Sequence, residues 1–428
     1  MSEDKFDVII VGAGVAGCVA GYLLATQGLD VLIIERGSEA GAKNTSGGRL
    51  YAHTIEQVFP DFGLNAPVER VITQERLSFM SEQNCTSLLY SFAPDDEPKK
   101  RSYSVLRAKL DKWLAQQACE AGAELITGVR VDDLLKKDGK VCGVISDGEE
   151  LEASVVLVAD GANSIICAKN NLGFKPDKSN CAVGAKEVLT IGEQAINERF
   201  GCGSGEGAAW LMLSDATQGH MGGGFIYTNR DSISLGVVLG LEAASECETS
   251  LPSMLESLKS HPAIAPLIKD AKLSEYSAHV IPEGGFNAIG RLSGDGVLVL
   301  GDAAGLCINI GYCVRGMDMA VDSAIAAAKA VVAAKSRGDF SAAVLSEYES
   351  ELAKTASLSD MRLYKNAPKL LANERIFNAY PKMINSIMAD IFSVNGTSEP
   401  LRKKLASGLK KVGFLNLIKD LYRGIKSL

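Results

Sequence analysis

The chain has 428 residues, 46% of them hydrophobic and 22% charged, enough to bury a large core spread over two or three domains or subdomains. A formal net charge of −8 argues against nucleic acid as a partner of the main body, and no apolar run reaches the length a membrane-spanning helix needs. Ten scattered cysteines lack a C-x-x-C pair or metal spacing, and the acidic start (Ser2-Glu3-Asp4) is unlike a secretory signal; a reducing cytoplasmic setting without a zinc site or self-contained iron–sulfur cluster is expected.

Phe6 to Val11 reads as a buried parallel strand, Val15 to Gln27 as a helix, and Leu29 to Ile34 as a second strand closed by Glu35. Between the first strand and the helix lies Gly12-Ala13-Gly14-Val15-Ala16-Gly17, with Glu35 eighteen residues beyond Gly17. Gly12 permits the tight turn, Gly14 lets backbone approach a pyrophosphate, and Gly17 lets the helix pack close to the sheet. The helix N-terminus offers free N–H groups to phosphates, and Glu35 can accept from both hydroxyls of an adenosine ribose. The pattern predicts an adenine dinucleotide site, for FAD or NAD, in an α/β fold. A polar glycine-rich loop, residues 38–50, follows beside the dinucleotide path.

The stretch 66–100 alternates weakly, with an exposed hairpin tip or loop at Pro94 to Lys100. Tyr103 to Arg107 reads as a strand leading into a helix from Lys109 to Ala121. Arg107 at a helix start is unfavourable on dipole grounds; an anionic ligand or simple solvation accounts for it equally. Glu124 to Val131 reads as a strand, and Lys140 to Ser146 with Glu150 to Ala153 as a small hairpin. A buried strand, Val155 to Ala159, ends in Asp160-Gly161, where open α/β sheets place ligands.

Residues 180–290 read as a mostly antiparallel second domain, with strands at Ala182 to Leu189, Gly222 to Thr228 and Ser232 to Gly240 and helical pieces at 193–199 and 253–270. Gly201 to Gly207 reads as a flexible loop, and His279 as a core or surface histidine. A buried strand then runs into Gly301-Asp302, and an alanine-rich helix covers Met317 to Ala334. Asp302 can accept from a ribityl chain, and the helix start near Gly311 to Gly316 can face an electron-rich ring. Beyond residue 340 the chain is helical. Residues 401–428 carry eight Lys and Arg against one acid, Asp420, with Leu401, Leu405, Leu409, Val412, Leu415, Ile418, Tyr422 and Ile425 at helical spacing. Such a basic amphipathic helix suits an anionic membrane surface or an acidic partner, or packs on the body with its basic face solvated.

The three sites together, in this order and spacing, resemble the FAD-dependent oxidoreductases of the glutathione-reductase/para-hydroxybenzoate-hydroxylase fold. Finer motifs run the length of the chain: Gly41-Ala-Lys-Asn, Gly47-Gly48-Arg49-Leu50-Tyr51-Ala52-His53, Ser104-Val-Leu-Arg107, Met221-Gly-Gly-Gly-Phe, Glu275-Tyr-Ser-Ala-His279, Arg315-Gly-Met-Asp318 and Lys410 to Asp420. They resemble the FixC family, which belongs with the electron-transfer flavoprotein–quinone oxidoreductases. The resemblance implies a Rossmann-like FAD-binding domain from residues 1–75, 100–180 and 290–335. It also implies an inserted, mainly antiparallel β domain for substrate or partner from 76–99 and 181–289, and a helical C-terminal region, 336–428.

It further implies that Gly12, Gly14 and Gly17 hold the FAD pyrophosphate, with Ala16, Arg36, Lys43 and Gly301 also at the cofactor. Glu35 would hold the adenosine ribose, and Arg107 would lie along the diphosphate. The Val131 backbone would lie near the adenine, with Asp160 and Gly161 closing the adenosine end. Asp302 would hold the ribityl or diphosphate portion, while Gly47, Gly48 and Asn309 to Gly311 would border the isoalloxazine. No metal and no catalytic side chain are implied, since electron transfer between flavins needs proximity and potential rather than a nucleophile. The implied partners are an electron-transfer flavoprotein (FixAB-like), a quinone, and a ferredoxin-like 4Fe–4S protein (FixX-like), for a chain in the cytoplasm or peripheral on the inner membrane face. Single-chain quinone oxidoreductases carry a cysteine-ligated 4Fe–4S module; its absence here fits a separate FixX-like protein. The alternatives are an NAD(P)H-dependent reductase or hydroxylase of the geranylgeranyl-reductase type, a flavin-binding docking subunit at the membrane, and an NAD-linked dehydrogenase.

Overall fold

A computed structural model describes residues 5–43 and 48–428. The chain opens with β1 (Phe6–Val11), α1 (Val15–Ala25) and β2 (Val31–Glu35). Val8, Ile9 and Ile10 are fully buried, as a central parallel strand covered on both faces requires. Small residues bring α1 unusually close to the sheet. A Cβ at Gly17 would sit 2.0 Å from the Gly12 carbonyl oxygen, and one at Gly21 would sit 2.6 Å from Ile33 Cδ1.

Next come β3 (Gly48–Tyr51), β4 (Val68–Ser81), β5 (Asn84–Ser91), β6 (Ser102–Val105) and α2 (Arg107–Glu120). They are followed by β7 (Glu124–Thr127), β8 (Asp133–Lys137), β9 (Lys140–Ser146) and β10 (Glu149–Val158). The expected hairpin arm and the buried strand after it are one element. β10 pairs antiparallel with β9 through Glu152, then parallel with β1 from Ala153 to Val158. β7 is shorter than expected because the chain turns at Gly128, with φ +75°. In the hairpin of β4 and β5 the tight turn falls at Glu82 and Gln83, and Pro94 to Lys100 form a later loop ending in a 3₁₀ turn.

Then follow β11 (Cys181–Thr190), β12 (Glu206–Ser214), β13 (Gly222–Thr228), β14 (Ser232–Gly240) and β15 (Lys272–Pro282). Helices Glu193–Phe200 and Leu251–Ser260 lie among them, the latter ending ten residues before the expected limit at 270. The glycine-rich segment is a loop only as far as Gly205, since β12 begins at Glu206. β16 (Ser293–Gly294), β17 (Val297–Val299) and α3 (Met317–Arg337) return the chain to the first sheet.

The first sheet runs β16-β17-β10-β1-β2-β7, with β8 and β9 appended, and its four central pairings are parallel. The second runs β15-β11-β14-β13-β12-β4-β6-β3, with β5 on β4; β12 and β4 pair in parallel and the remaining neighbours antiparallel. β3, β4 and β6 therefore build the second sheet, and the expected boundary at residue 76 falls inside β4. Buried Arg70 on β4 fastens that junction. It donates to the carbonyls of Asn229 (2.6 Å), Glu206 (2.7 Å) and Arg230 (2.8 Å) and to Asn197 Oδ1 (2.6 Å).

The C-terminal region packs α4 (Ala379–Phe392) on the β4–β5 hairpin. Asn385 donates to Phe79 O (3.0 Å) and Ser81 Oγ (2.8 Å) and accepts from Thr86 Oγ1 (2.6 Å). The expected single terminal helix is two, α5 (Leu401–Lys410) and α6 (Phe414–Ser427), broken at Gly413, where φ is +85°. α6 is docked by its polar side. Asp420, 7% exposed, takes two hydrogen bonds from Arg375 (2.7 Å each) and one from Tyr380 (2.8 Å). These donors hold its carboxyl far below the usual range. The apolar residues Phe414, Leu415, Ile418, Leu421, Tyr422 and Ile425 all face solvent, Leu415 at 81% exposure.

Candidate cofactor site

One cavity of about 640 Å³ opens at the C-terminal ends of β1, β2 and β10 and is closed on its other side by the second sheet. Gly12, Gly14, Ala16, Glu35, Arg36, Lys43, Gly48, Arg107, Val131, Asp160, Gly161, Gly301, Asp302, Asn309 and Gly311 all border it. The three separated backbone sites thus meet. Gly17 does not border the cavity; its missing side chain admits the Gly12 carbonyl, so its part is packing α1 rather than touching a ligand. Gly47 lies outside the described residues.

The turn after β1 is built for close approach. Gly12 has φ +104°, and a Cβ there would lie 2.5 Å from the Ala159 carbonyl oxygen. No side chain caps α1 at Gly14 and no acid lies in its first turn, which leaves the N–H groups of that turn for an anion. Glu35 locks the turn: Oε2 accepts the Ala13 N–H (2.9 Å) and Oε1 accepts the Gly37 N–H (2.6 Å). Each oxygen retains a second lone pair for a ribose hydroxyl.

Arg107 is not a solvated surface residue. Its guanidinium grips the fully buried Asp111 one helical turn on, at 2.7 and 2.8 Å, and borders the cavity beside Asp302. Asp111→Ala is expected to cost the apoprotein about 3 kcal/mol, because it strands a mostly buried cation. Denaturant midpoints with and without added FAD check this; the loss shrinks in the loaded protein if a diphosphate takes over as the partner.

Three cavity residues carry shifted charge: Lys186 and Glu283, which the sequence does not single out, and His279, which it reads as a core or surface histidine. Burial lowers the Lys186 ammonium to about 7, lowers the His279 imidazolium, and lifts the Glu283 carboxyl to about 7. The one signal available was a Lys-Glu pair inside the apolar run of β11, where Glu187 is matched by Lys259 at 2.9 Å. At the far end Arg315 borders the cavity and is held by Asp318 (2.6 Å) and Asp360 (2.5 Å), with His53 3.6 Å from Asp318.

Burial also lifts Asp160 to about 6, and its Oδ1 is buried without a hydrogen-bond partner among the described residues. A ligand hydroxyl would complete it. That orphaned oxygen, the glycine cradle and the uncapped helix start fit a long dinucleotide lying across the ends of the first sheet.

The FAD binding domain matches residues 5–198, and the ETF-QO/FixC family C-terminal domain matches residues 367–428. Protein FixC of Escherichia coli (strain K12) is 50% identical over 429 residues, covering all of both chains. The chain belongs to the ETF-QO/FixC family. Another relative, the probable electron transfer flavoprotein-quinone oxidoreductase YdiS of the same strain, is 49% identical over 431 residues, again covering both chains. Among solved structures, a geranylgeranyl bacteriochlorophyll reductase-like protein from Thermoplasma acidophilum shares the fold, with TM-score 0.70 and 19% identity, covering 98% of this chain and 99% of that one. This ETF-QO/FixC chain is an FAD-dependent oxidoreductase, and FAD is its cofactor. No helix among the described residues is long and apolar enough to cross a membrane.

Proposed function

We propose that the chain takes electrons from an electron-transfer flavoprotein, FixAB-like, onto its FAD and passes them to a quinone, alone or through a ferredoxin-like 4Fe–4S protein of the FixX kind. The observation that carries this reading is the far wall of the cavity. Leu77, Leu211, Met212, Phe225, Val238, Leu371 and Phe377 make it apolar, as a quinone ring and its hydrocarbon tail require. Full-length likeness to FixC proteins supports the same partners.

Bound FAD supplies two-electron and one-electron chemistry; the protein binds, orients and tunes. Gly12, Gly14 and the start of α1 hold the phosphates, with Arg107, Arg36 and Lys43 adding positive charge along them. Glu35 and Asp160 receive the adenosine hydroxyls, Val131 backs the adenine, and Asp302 receives the ribityl chain. Gly48, Asn309 and Gly311 let backbone lie against the ring. The start of α3, at Gly316 and Met317 on the cavity wall, puts the positive end of a 21-residue helix near it and favours its reduced form. The second sheet excludes water, and α6 carries the assembly to the cytoplasmic face of the membrane.

The test is rapid-mixing reduction of the yellow protein without oxygen. A reduced electron-transfer flavoprotein is expected to bleach the flavin, and a short-chain quinone to restore its colour. Fast bleaching by NADPH alone would replace this reading with the reductase-type alternative.

A further inference from the structure

Five carboxylates border the cavity, and four of them belong to the frame around the nucleotide, Asp132 through its 2.7 Å ion pair with Arg130. Glu35 holds two backbone N–H groups, Asp302 faces Arg107 and His279, and Asp160 sits at the adenosine end. Glu283 differs. It follows the last residue of β15, is 9% exposed, and has its main chain fixed by a 2.8 Å hydrogen bond to the Asn180 carbonyl. Its carboxylate is hydrogen-bonded to the side chain of Asn309, whose Oδ1 in turn accepts the Gly311 N–H at 2.8 Å. The titratable groups facing it are the Cys181 and Cys307 thiols, with Asp302 and Asp318 beyond Cys307. Among the described residues no lysine, arginine or histidine forms an ion pair with it. A buried acid with one neutral partner and no cation changes its proton occupancy whenever charge appears nearby.

We propose that Glu283 is the proton-exchanging residue of the ring end of the cavity, gaining a proton when the bound flavin is reduced and surrendering it when the electrons leave. The proposal rests on the reading of Asn309 and Gly311 as neighbours of the isoalloxazine. Reduction by an electron-transfer flavoprotein brings two electrons and one proton to the ring and leaves it one added negative charge. The Glu283 carboxylate answers by forming an O–H bond with a second proton from solvent. Converting a quinone to its hydroquinone consumes two electrons and two protons. The ring returns both electrons and one proton; the O–H bond of Glu283 breaks to supply the other. Burial places the carboxyl near 7, where both of its states are accessible.

The experiment is a spectroelectrochemical titration of the purified FAD-loaded protein and of Glu283→Gln and Glu283→Asp. In the pH unit above 7, reduction with one proton changes the oxidised-to-reduced equilibrium tenfold per pH unit, or about 30 mV for two electrons; two protons change it a hundredfold, about 59 mV. Wild type is expected to approach the steeper dependence, Glu283→Gln the shallower, and Glu283→Asp to restore the steeper one. Equal slopes in wild type and Glu283→Gln overturn the proposal. If Glu283→Gln does not hold flavin, infrared difference spectra of the wild type decide: reduction must produce a protonated-carboxyl band that moves in heavy water, and its absence overturns the proposal. Failure of the electron-transfer reading shows itself separately, as a flavin that no electron-transfer flavoprotein reduces.

Discussion

Gly12→Val is expected to give colourless protein, with stability lowered by about 3 kcal/mol or more. The residue sits at φ +104°, a conformation that costs a branched side chain heavily, and its Cβ would press to 2.5 Å on the Ala159 carbonyl oxygen and 3.2 Å on Asp160 Cα. Both contacts are backbone, so no side chain can swing away. Relief must come from moving β10 against β1, and that displaces Asp160 and the start of α1 together. Gly28→Ala is the control. It has φ +76° with nothing within 4 Å of the added atom, so it is expected to cost about 1 kcal/mol and leave FAD content intact. Visible absorbance per protein and denaturant midpoints measure both. A yellow Gly12→Val with wild-type flavin content would show that the nucleotide does not lie along this turn.

That control also explains what could be read from the residues alone. The strand–glycine turn–helix–strand unit was legible because each part is local: a continuous apolar run, a left-handed glycine, a small-residue helix face and an acid at fixed distance. The second sheet was legible only in part. β4 carries β3 and β6 into a sheet whose other strands lie more than a hundred residues downstream, as in the parallel pairing of Val71 with Glu206, and alternation does not say which partner a strand will choose. β10 looks like two strands in sequence because its halves pair with different neighbours in opposite senses. Lys186 and Glu283 draw no notice in the sequence, and His279 reads as a core or surface histidine, for a related reason: each is ordinary in its own segment and acquires meaning only on the wall of a cavity assembled from both sheets. In the tail, helical spacing was plain, but which face turns inward depended on a partner residue. The one acid of residues 401–428 is buried against Arg375, while Leu415, Leu421 and Ile425 are left outside.

The inverted docking of α6 leads to the second large effect. The purified protein is expected to float with vesicles containing anionic lipid at low salt, and the double substitution Leu415→Glu with Ile425→Glu to cut that binding about 100-fold. Those side chains are 81% and 75% exposed, and burying an aliphatic side chain in the interfacial region contributes about 1.5 kcal/mol or more each; two lost sum to about 3 kcal/mol, or about two powers of ten. Lys419, Arg423 and Lys426 lie on the same short helix, and each cation near an anionic surface adds about 1 kcal/mol, so rising salt must weaken wild-type binding. Flavin content should not change in the double variant, because α6 contributes nothing to the cavity wall. Asp420→Ala separates anchoring from insertion. It removes the acceptor of Arg375 and Tyr380 and frees α6 from the body while keeping its apolar and basic residues, so vesicle binding should survive while protease cleavage at the 411–413 junction accelerates. Flotation that ignores both salt and the two glutamates would show that α6 is not the surface that meets the lipid.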